Sequence, residues 1–223
     1  MKENKKYYII SGVLFIIFAI FTVLVKSVDV QIFERTNSEI GFASINIPFA
    51  NSLQFNESIY KISEYLGYIA IVTVGYFGLF GVMQLFMKKG FTKVDKDLYA
   101  LAGLYAALLV CYVVFDKVVI NYRPVIIDIE EGLEPSYPSS HTMMSVGFML
   151  AAIQQFSMRL KKSTVKTIII AVCALIGVGI IVTRFLAGVH WLTDIIGAIL
   201  LASSWFMLYY SVVRTIYKDR FNR

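Results

Sequence analysis

Long apolar runs, separated by short polar stretches rich in charge, set the pattern of this chain. A run of about 18 or more apolar residues can cross a bilayer core as a helix. Six segments meet or approach that length: 7–25, 66–87, 98–115, 142–158, 167–182 and 195–213. The fourth is short and softened by Gln154 and Gln155. The pattern predicts an all-α fold, a six-span transmembrane helical bundle. No repeat, low-complexity tract or Pro- or Gly-rich linker divides it, so 1–223 reads as a single integral-membrane domain. A signal peptide would need a shorter apolar core and a small-residue cleavage site. Val25-Lys26-Ser27-Val28 offers a poor one, so the first run reads as a retained anchor. The longest polar stretch, 26–61, is an outer loop whose dotted Ile, Phe and Leu suggest surface-lying helical pieces. Within it, Asn56-Glu57-Ser58 matches a glycosylation acceptor pattern, one that often arises by chance.

Charge gives an independent check on this division, because short Lys- and Arg-rich loops stay on the cytoplasmic side. One side of the six-span layout carries Lys2, Lys5 and Lys6, then Lys88, Lys89, Lys93 and Lys96. The same side carries Arg159, Lys161, Lys162 and Lys166, then Arg214, Lys218, Arg220 and Arg223. Its acids are Glu3, Asp95, Asp97 and Asp219. Most of the 21 basic residues therefore fall on one face, and most of the 15 acidic residues on the other. Both termini are expected in the cytoplasm of a cell-membrane protein.

Composition agrees. Apolar residues make up 58% of the chain and charged ones 16%, against about 25% charged in ordinary soluble domains. That excludes a disordered chain, a coiled coil and a typical cytosolic enzyme. The net charge of +6 fits a basic, aromatic-rich membrane protein better than a nucleic-acid partner. Cys111 and Cys173 lie in apolar runs without metal or redox spacing and read as small hydrophobes.

Ionisable residues near a membrane core are costly, so those that are not flanking anchors need a reason. They concentrate in three segments expected on the outer face. The first holds Asp116, Lys117, Asn121 and Arg123-Pro124; the second is Tyr137-Pro138-Ser139-Ser140-His141. The third runs from Thr183-Arg184 through His190 to Asp194 and joins the last two spans. Both histidines of the protein lie here. His190 and Asp194 stand i, i+4, on one face of a helix beginning the sixth span. A carboxylate there can hold one ring nitrogen protonated and leave the other as nucleophile or base. Arg184 can offer a planar fork to phosphate oxygens. Pro138 can begin a helix whose first amides, with Ser139 and Ser140, bind an anion. His141 in that first turn could protonate a departing oxygen, and Lys117 and Arg123 add positive charge. Two histidines, one carboxylate and three cations describe phosphoryl transfer through a phosphohistidine.

The order Lys…Arg-Pro, Pro-Ser-x-His and Arg-x5-His-x3-Asp resembles the type 2 phosphatidic acid phosphatase (PAP2) superfamily. That superfamily includes bacterial lipid phosphatases, glucose-6-phosphatases and vanadium haloperoxidases. The motifs span 117–194, and the six-span layout extends the resemblance over nearly the whole chain. The resemblance implies a PAP2/vanadium-haloperoxidase-like core, with His190 as nucleophile, Asp194 orienting it and His141 as acid toward the leaving group. It also implies that Lys117, Arg123, Ser139, Ser140 and Arg184 bind the phosphoryl group, with no metal and no other cofactor. Three departures stand out. Thr183 replaces the usual Ser, and Ser140 the usual Gly before the histidine. Five residues rather than six intervene between the Lys and Arg-Pro, so Asp116 occupies the expected place. One residue is about 100° around a helix; Lys117 is expected to reach by its flexible stem.

Duller roles exist for each residue. Lys117 and Arg123 would serve as snorkelling anchors, Ser139 and Ser140 as caps, and Trp191 and Trp205 as lipid-facing or belt residues. The expected function is a phosphatase acting at the outer face on a lipid phosphate or diphosphate. Undecaprenyl diphosphate, phosphatidylglycerol phosphate and phosphatidic acid are the candidates. The alternatives are a phosphotransferase with the same intermediate, or a non-catalytic lipid-binding or transport protein. A transporter would place ionisable residues mid-span, whereas spans two, three and five are charge-free through their centres.

Overall fold

A computed structural model describes residues 2–218, with side chains from Asn4 onward. Arg220, Arg223 and Asp219, which belong to the last charged cluster, lie outside the described residues, as do the side chains of Lys2 and Glu3. The elements in chain order are α1 (Lys2–Ser27), β1 (Gln31–Phe33), β2 (Ser38–Ile40), α2 (Ala43–Ser52) and α3 (Glu57–Lys88). They continue with α4 (Lys96–Lys117), α5 (Ser140–Arg159), α6 (Thr164–Leu186) and α7 (Leu192–Ile216).

Among the described residues five helices, α1, α3, α4, α6 and α7, are long and apolar enough to cross a membrane. The sixth expected span, α5, has 20 residues, about 30 Å at 1.5 Å per residue. Its lower hydropathy has a packing cause. Thr142, Met143, Ser145, Gly147, Met149, Ala151 and Ala152 on α5 are all buried, because α5 lies inside the bundle against α3, α4, α6 and α7. A helix wrapped by protein can carry small and polar side chains where a lipid-facing helix cannot. Gln155, expected only to weaken this span, is fully buried and donates to Asp97 and to the Tyr209 hydroxyl.

The second span begins earlier than its apolar run. Asn56 accepts from the Ile59 amide at 3.0 Å and caps α3, so the polar residues 57–65 are helical. That cap accounts for the residue in the acceptor-like tripeptide. The outer segment forms the expected surface helix, α2, together with a two-stranded antiparallel hairpin, β1–β2, that the apolar dotting did not signal.

Two polar clamps fix the ends of the bundle. At the end opposite the motif segments, the fully buried Asp97 accepts from Gln155 Nε2 (3.0 Å), Tyr217 Oη (2.7 Å) and Arg159 Nη2. Lys88, Gln84 and Arg159 gather on neighbouring Asp95. The ends of α3, α5 and α7 are thereby tied to the start of α4. At the motif end, the Ser139 amide donates to the Asp194 carbonyl (3.2 Å), and the Asn56 amide to the Ala187 carbonyl (3.1 Å). Gly188 completes that junction. Its φ of +71° and the Leu53 carbonyl oxygen, 2.7 Å from where a Cβ would stand, leave room for glycine alone.

Removing one partner of a buried ion pair typically costs about 3–5 kcal/mol, because the other charge stays desolvated. Asp97→Ala is expected to lower unfolding stability in detergent by about 3 kcal/mol, read by chemical denaturation. A change below about 1 kcal/mol would show that this clamp is not structural.

Candidate active site

Three backbone junctions bring the motif segments together. Segment 121–123 runs antiparallel to 134–136. The Arg123 amide donates to the Glu134 carbonyl (3.0 Å) and the Ser136 amide to the Asn121 carbonyl (2.9 Å). This clasp presents Asn121 and Arg123 on one side and leads into Tyr137, Pro138 and the start of α5. Tyr137 is buried, its hydroxyl 2.8 Å from Thr22 Oγ1 on α1. Its ring lies over Gly197 of α7, where a Cβ would come within 2.6 Å.

Asp194 is the hub. It is fully buried and sits in the first turn of α7. Oδ2 accepts from the Trp191 amide (3.0 Å), which caps the helix, and lies 3.5 Å from His190 Nδ1. Oδ1 accepts from Asn121 Nδ2 at 3.3 Å. His190 does not belong to the helix as the i, i+4 spacing suggested. It precedes the cap residue Trp191, and the capping turn, rather than a helical face, brings it to the carboxylate. Pro138 likewise does not start α5; the helix begins at Ser140, after the cap Ser139.

His190 is buried, and both ring nitrogens lack hydrogen-bond partners among the described residues. Burial pushes its imidazole well below the ordinary histidine range, and the charges of Arg123, Arg184 and His141 push the same way. The ring is therefore neutral at physiological pH, the form that keeps a lone pair for attack.

A cavity of about 360 Å³ opens beside it, lined at the motif end by Arg123, Glu134, Ser140 and His141. Deeper, its walls are Tyr68 and Ile71 of α3, Tyr112 of α4 and Met144 and Phe148 of α5. A narrower space that shares Ser140 and Asp116 with this cavity reaches His190. Arg123 Nε lies 2.9 Å from Glu134 Oε2, an ion-pair approach without hydrogen-bond alignment, and Nη1 has no partner among the described residues. Arg184, in the last turn of α6, is completely buried, and among the described residues its three guanidinium nitrogens have no well-aligned hydrogen-bond partner. Such groups are normally satisfied in a folded interior. Among the described residues Arg184 has no ion pair and Arg123 has only Glu134; both lie beside a neutral imidazole, and they suit the site to an anion.

The other expected residues fare differently. Ser139 is fully buried, its amide bonded to Asp194 and its hydroxyl to Thr142 Oγ1 (3.0 Å), so it acts as a joint with no free donor. The Thr183 hydroxyl, standing where the family has Ser, donates to the Gly179 carbonyl within α6 (2.6 Å). Lys117 is not brought in. Its side chain is 77% exposed and pairs with Asp116 (2.8 Å), and it is Asp116 that lines the cavity. The one-residue shift in the first motif turned the carboxylate inward and the ammonium outward.

Two contributors went unrecognised in the sequence. Asn121 stands in the first motif segment, but only the fold shows that it reaches Asp194. Trp191, expected in the lipid or belt, is 1% exposed. Its indole donates to the Tyr122 carbonyl (2.6 Å) and packs edge-on against Phe33 of the hairpin. Asn46 of α2 reinforces this contact by donating to Thr193 Oγ1 (3.0 Å). Among the described residues, no group of three or more His, Cys, Asp or Glu is arranged to hold a metal ion.

The bundle defines a multi-span membrane protein, with a candidate anion site at one end. Residues 96–218, more than half the chain, match the family model of the PAP2 superfamily, and the protein belongs to that superfamily. Its structure is similar to a crystal structure described as the first transmembrane PAP2-type phosphatidylglycerolphosphate phosphatase, from Bacillus subtilis. The TM-score is 0.66 at 16% identity, covering 92% of this chain and 96% of that one. At that identity the likeness establishes the fold. No curated protein sequence matches the chain.

Arg123→Ala is expected to weaken orthovanadate binding by about tenfold or more, as loss of a charge-assisted contact should. Lys117→Ala should change it by less than about twofold, as for an exposed pair. Calorimetric titration of the detergent-solubilised protein reads both; equal losses would return Lys117 to the site.

Proposed function

We propose that the protein is a membrane phosphatase that removes phosphate from a lipid phosphate or diphosphate at the outer face of the cell membrane, through a phosphohistidine. The observation that carries this reading is a buried His190 beside Asp194, with two arginines close by whose guanidinium groups keep nitrogens without hydrogen-bond partners among the described residues. Family membership supports phosphatase chemistry, and the cavity walls support a lipid. Polar groups gather at its motif end, and apolar and aromatic side chains of α3, α4 and α5 continue into the bundle. Outer-face placement rests on the charge asymmetry of the loops. It favours lipids that present phosphate there, such as undecaprenyl diphosphate, with phosphatidylglycerol phosphate and phosphatidic acid as further candidates.

In this mechanism the phosphoryl oxygens occupy the N–H groups of Arg123 and Arg184. His190 Nε2 donates its lone pair to phosphorus while the bond to the lipid oxygen breaks. His141, which takes up a proton once the phosphate dianion has entered and offset the charges of Arg123 and Arg184, delivers it to that oxygen, and Asp194 stabilises the charge that develops on the His190 ring. Water then attacks the phosphohistidine, giving up its proton to His141. Phosphate leaves and His190 is restored.

Phosphate release by the purified protein should be detectable without added metal on at least one member of a panel. The panel holds undecaprenyl diphosphate, phosphatidylglycerol phosphate, phosphatidic acid and a soluble sugar phosphate. His190→Ala should lower it at least about a thousandfold, as loss of a nucleophile does. Release that survives the substitution would overturn His190 as nucleophile, and a folded protein inactive on every member would overturn hydrolysis.

A further inference from the structure

Nothing in the motifs marks the outer end of α3, yet it supplies the surface on which Arg184 rests. A fully buried guanidinium is costly unless something compensates it; among the described residues no well-aligned hydrogen bond does so, and the side chain of Tyr60 is the neighbour that most favours its charge. What lies against it is the face of Tyr60, with the guanidinium carbon 4.7 Å from the ring centroid. A cation over an aromatic face is attracted by the ring quadrupole without using an N–H donor. Among the described residues the guanidinium forms no ion pair, which leaves its charge for an anion.

Tyr60 is itself held in place. Phe55 packs against its ring at 5.9 Å, and Asn56 caps the helix turn that carries it. The Asn56 amide is bonded to the Ala187 carbonyl just beyond Arg184, so ring and guanidinium are parts of one junction. Glu64, the next turn of α3, lines the same cavity as Tyr60 and acts electrostatically on Arg184. Among the described residues the two form no ion pair. The ring gives Arg184 a resting place that a carboxylate would otherwise offer, and a carboxylate would occupy the donors.

We propose that Tyr60 is a positioning residue for the phosphoryl-binding arginine. Its face holds Arg184 with the N–H edges open and keeps the guanidinium from turning to Glu64. The inference rests on the phosphoryl-transfer reading of the site.

The test uses the full chain in detergent, with orthovanadate binding by calorimetry and kcat and KM on whichever lipid phosphate the wild type hydrolyses. Tyr60→Leu should weaken vanadate binding by about tenfold, the range of a desolvated cation–π contact, and lower kcat/KM similarly. Tyr60→Phe, which keeps the aromatic face, should stay within about twofold. Adding Glu64→Gln to Tyr60→Leu should restore at least about threefold of the loss, which a packing defect would not do. Wild-type binding by Tyr60→Leu, an equal loss in Tyr60→Phe, or no restoration by Glu64→Gln would each overturn the assignment. A wild type that neither binds vanadate nor releases phosphate would sink the phosphoryl-transfer reading, and this inference with it.

Discussion

The rest of the site depends on one buried carboxylate. Asp194 accepts from the Trp191 amide, which fixes the start of α7, and from Asn121, which draws in the segment carrying Arg123. It stands beside His190 Nδ1, and its own carbonyl receives the Ser139 amide that opens α5. Segments distant in sequence meet on the atoms of a single residue. A carboxylate wholly removed from water is tolerated only when hydrogen bonds and nearby positive charge compensate it. The folded arrangement supplies both, and the same compensation aligns the imidazole.

Around that hub the charges are deliberately unbalanced. Arg123 has one carboxylate paired to it, whereas Arg184 forms no ion pair among the described residues and lies against the Tyr60 ring. Their field helps to keep His190 unprotonated. A dianionic phosphoryl group would complete the charge balance that the protein leaves open, so that binding energy and orientation come from the same contacts. The carboxylates lining the cavity, Asp116, Glu64 and Glu134, limit the excess positive charge at its mouth.

The outer cap works mechanically. Phe33, Ile40, Ala43, Ala50 and Trp191 form a small apolar cluster of their own, apart from the bundle core. Together with the Asn46–Thr193 contact it presses on the turn that bears His190. Gly188 lets the chain pass close beneath residues 53 and 54. The clamp around Asp97 does the corresponding task at the far end of the bundle, leaving the span between the two ends to apolar packing.

The sequence by itself determined the membrane class, the number of long helices and the motif pattern that singles out His141, His190, Asp194, Arg123 and Arg184 as candidates. Apolar run length, loop charge and motif spacing are local properties, written directly in the order of residues. It could not determine which way Lys117 and Asp116 point, because five intervening residues instead of six rotate the helix end relative to the pocket. Nor could it tell a buried Trp191 from a belt tryptophan, since both sit at the end of an apolar run. Ser139 as a joint, Asn121 behind Asp194 and Tyr60 beneath Arg184 were decided only by tertiary structure. Each depends on a contact between residues far apart in the chain, and long-range contact leaves no local pattern to read.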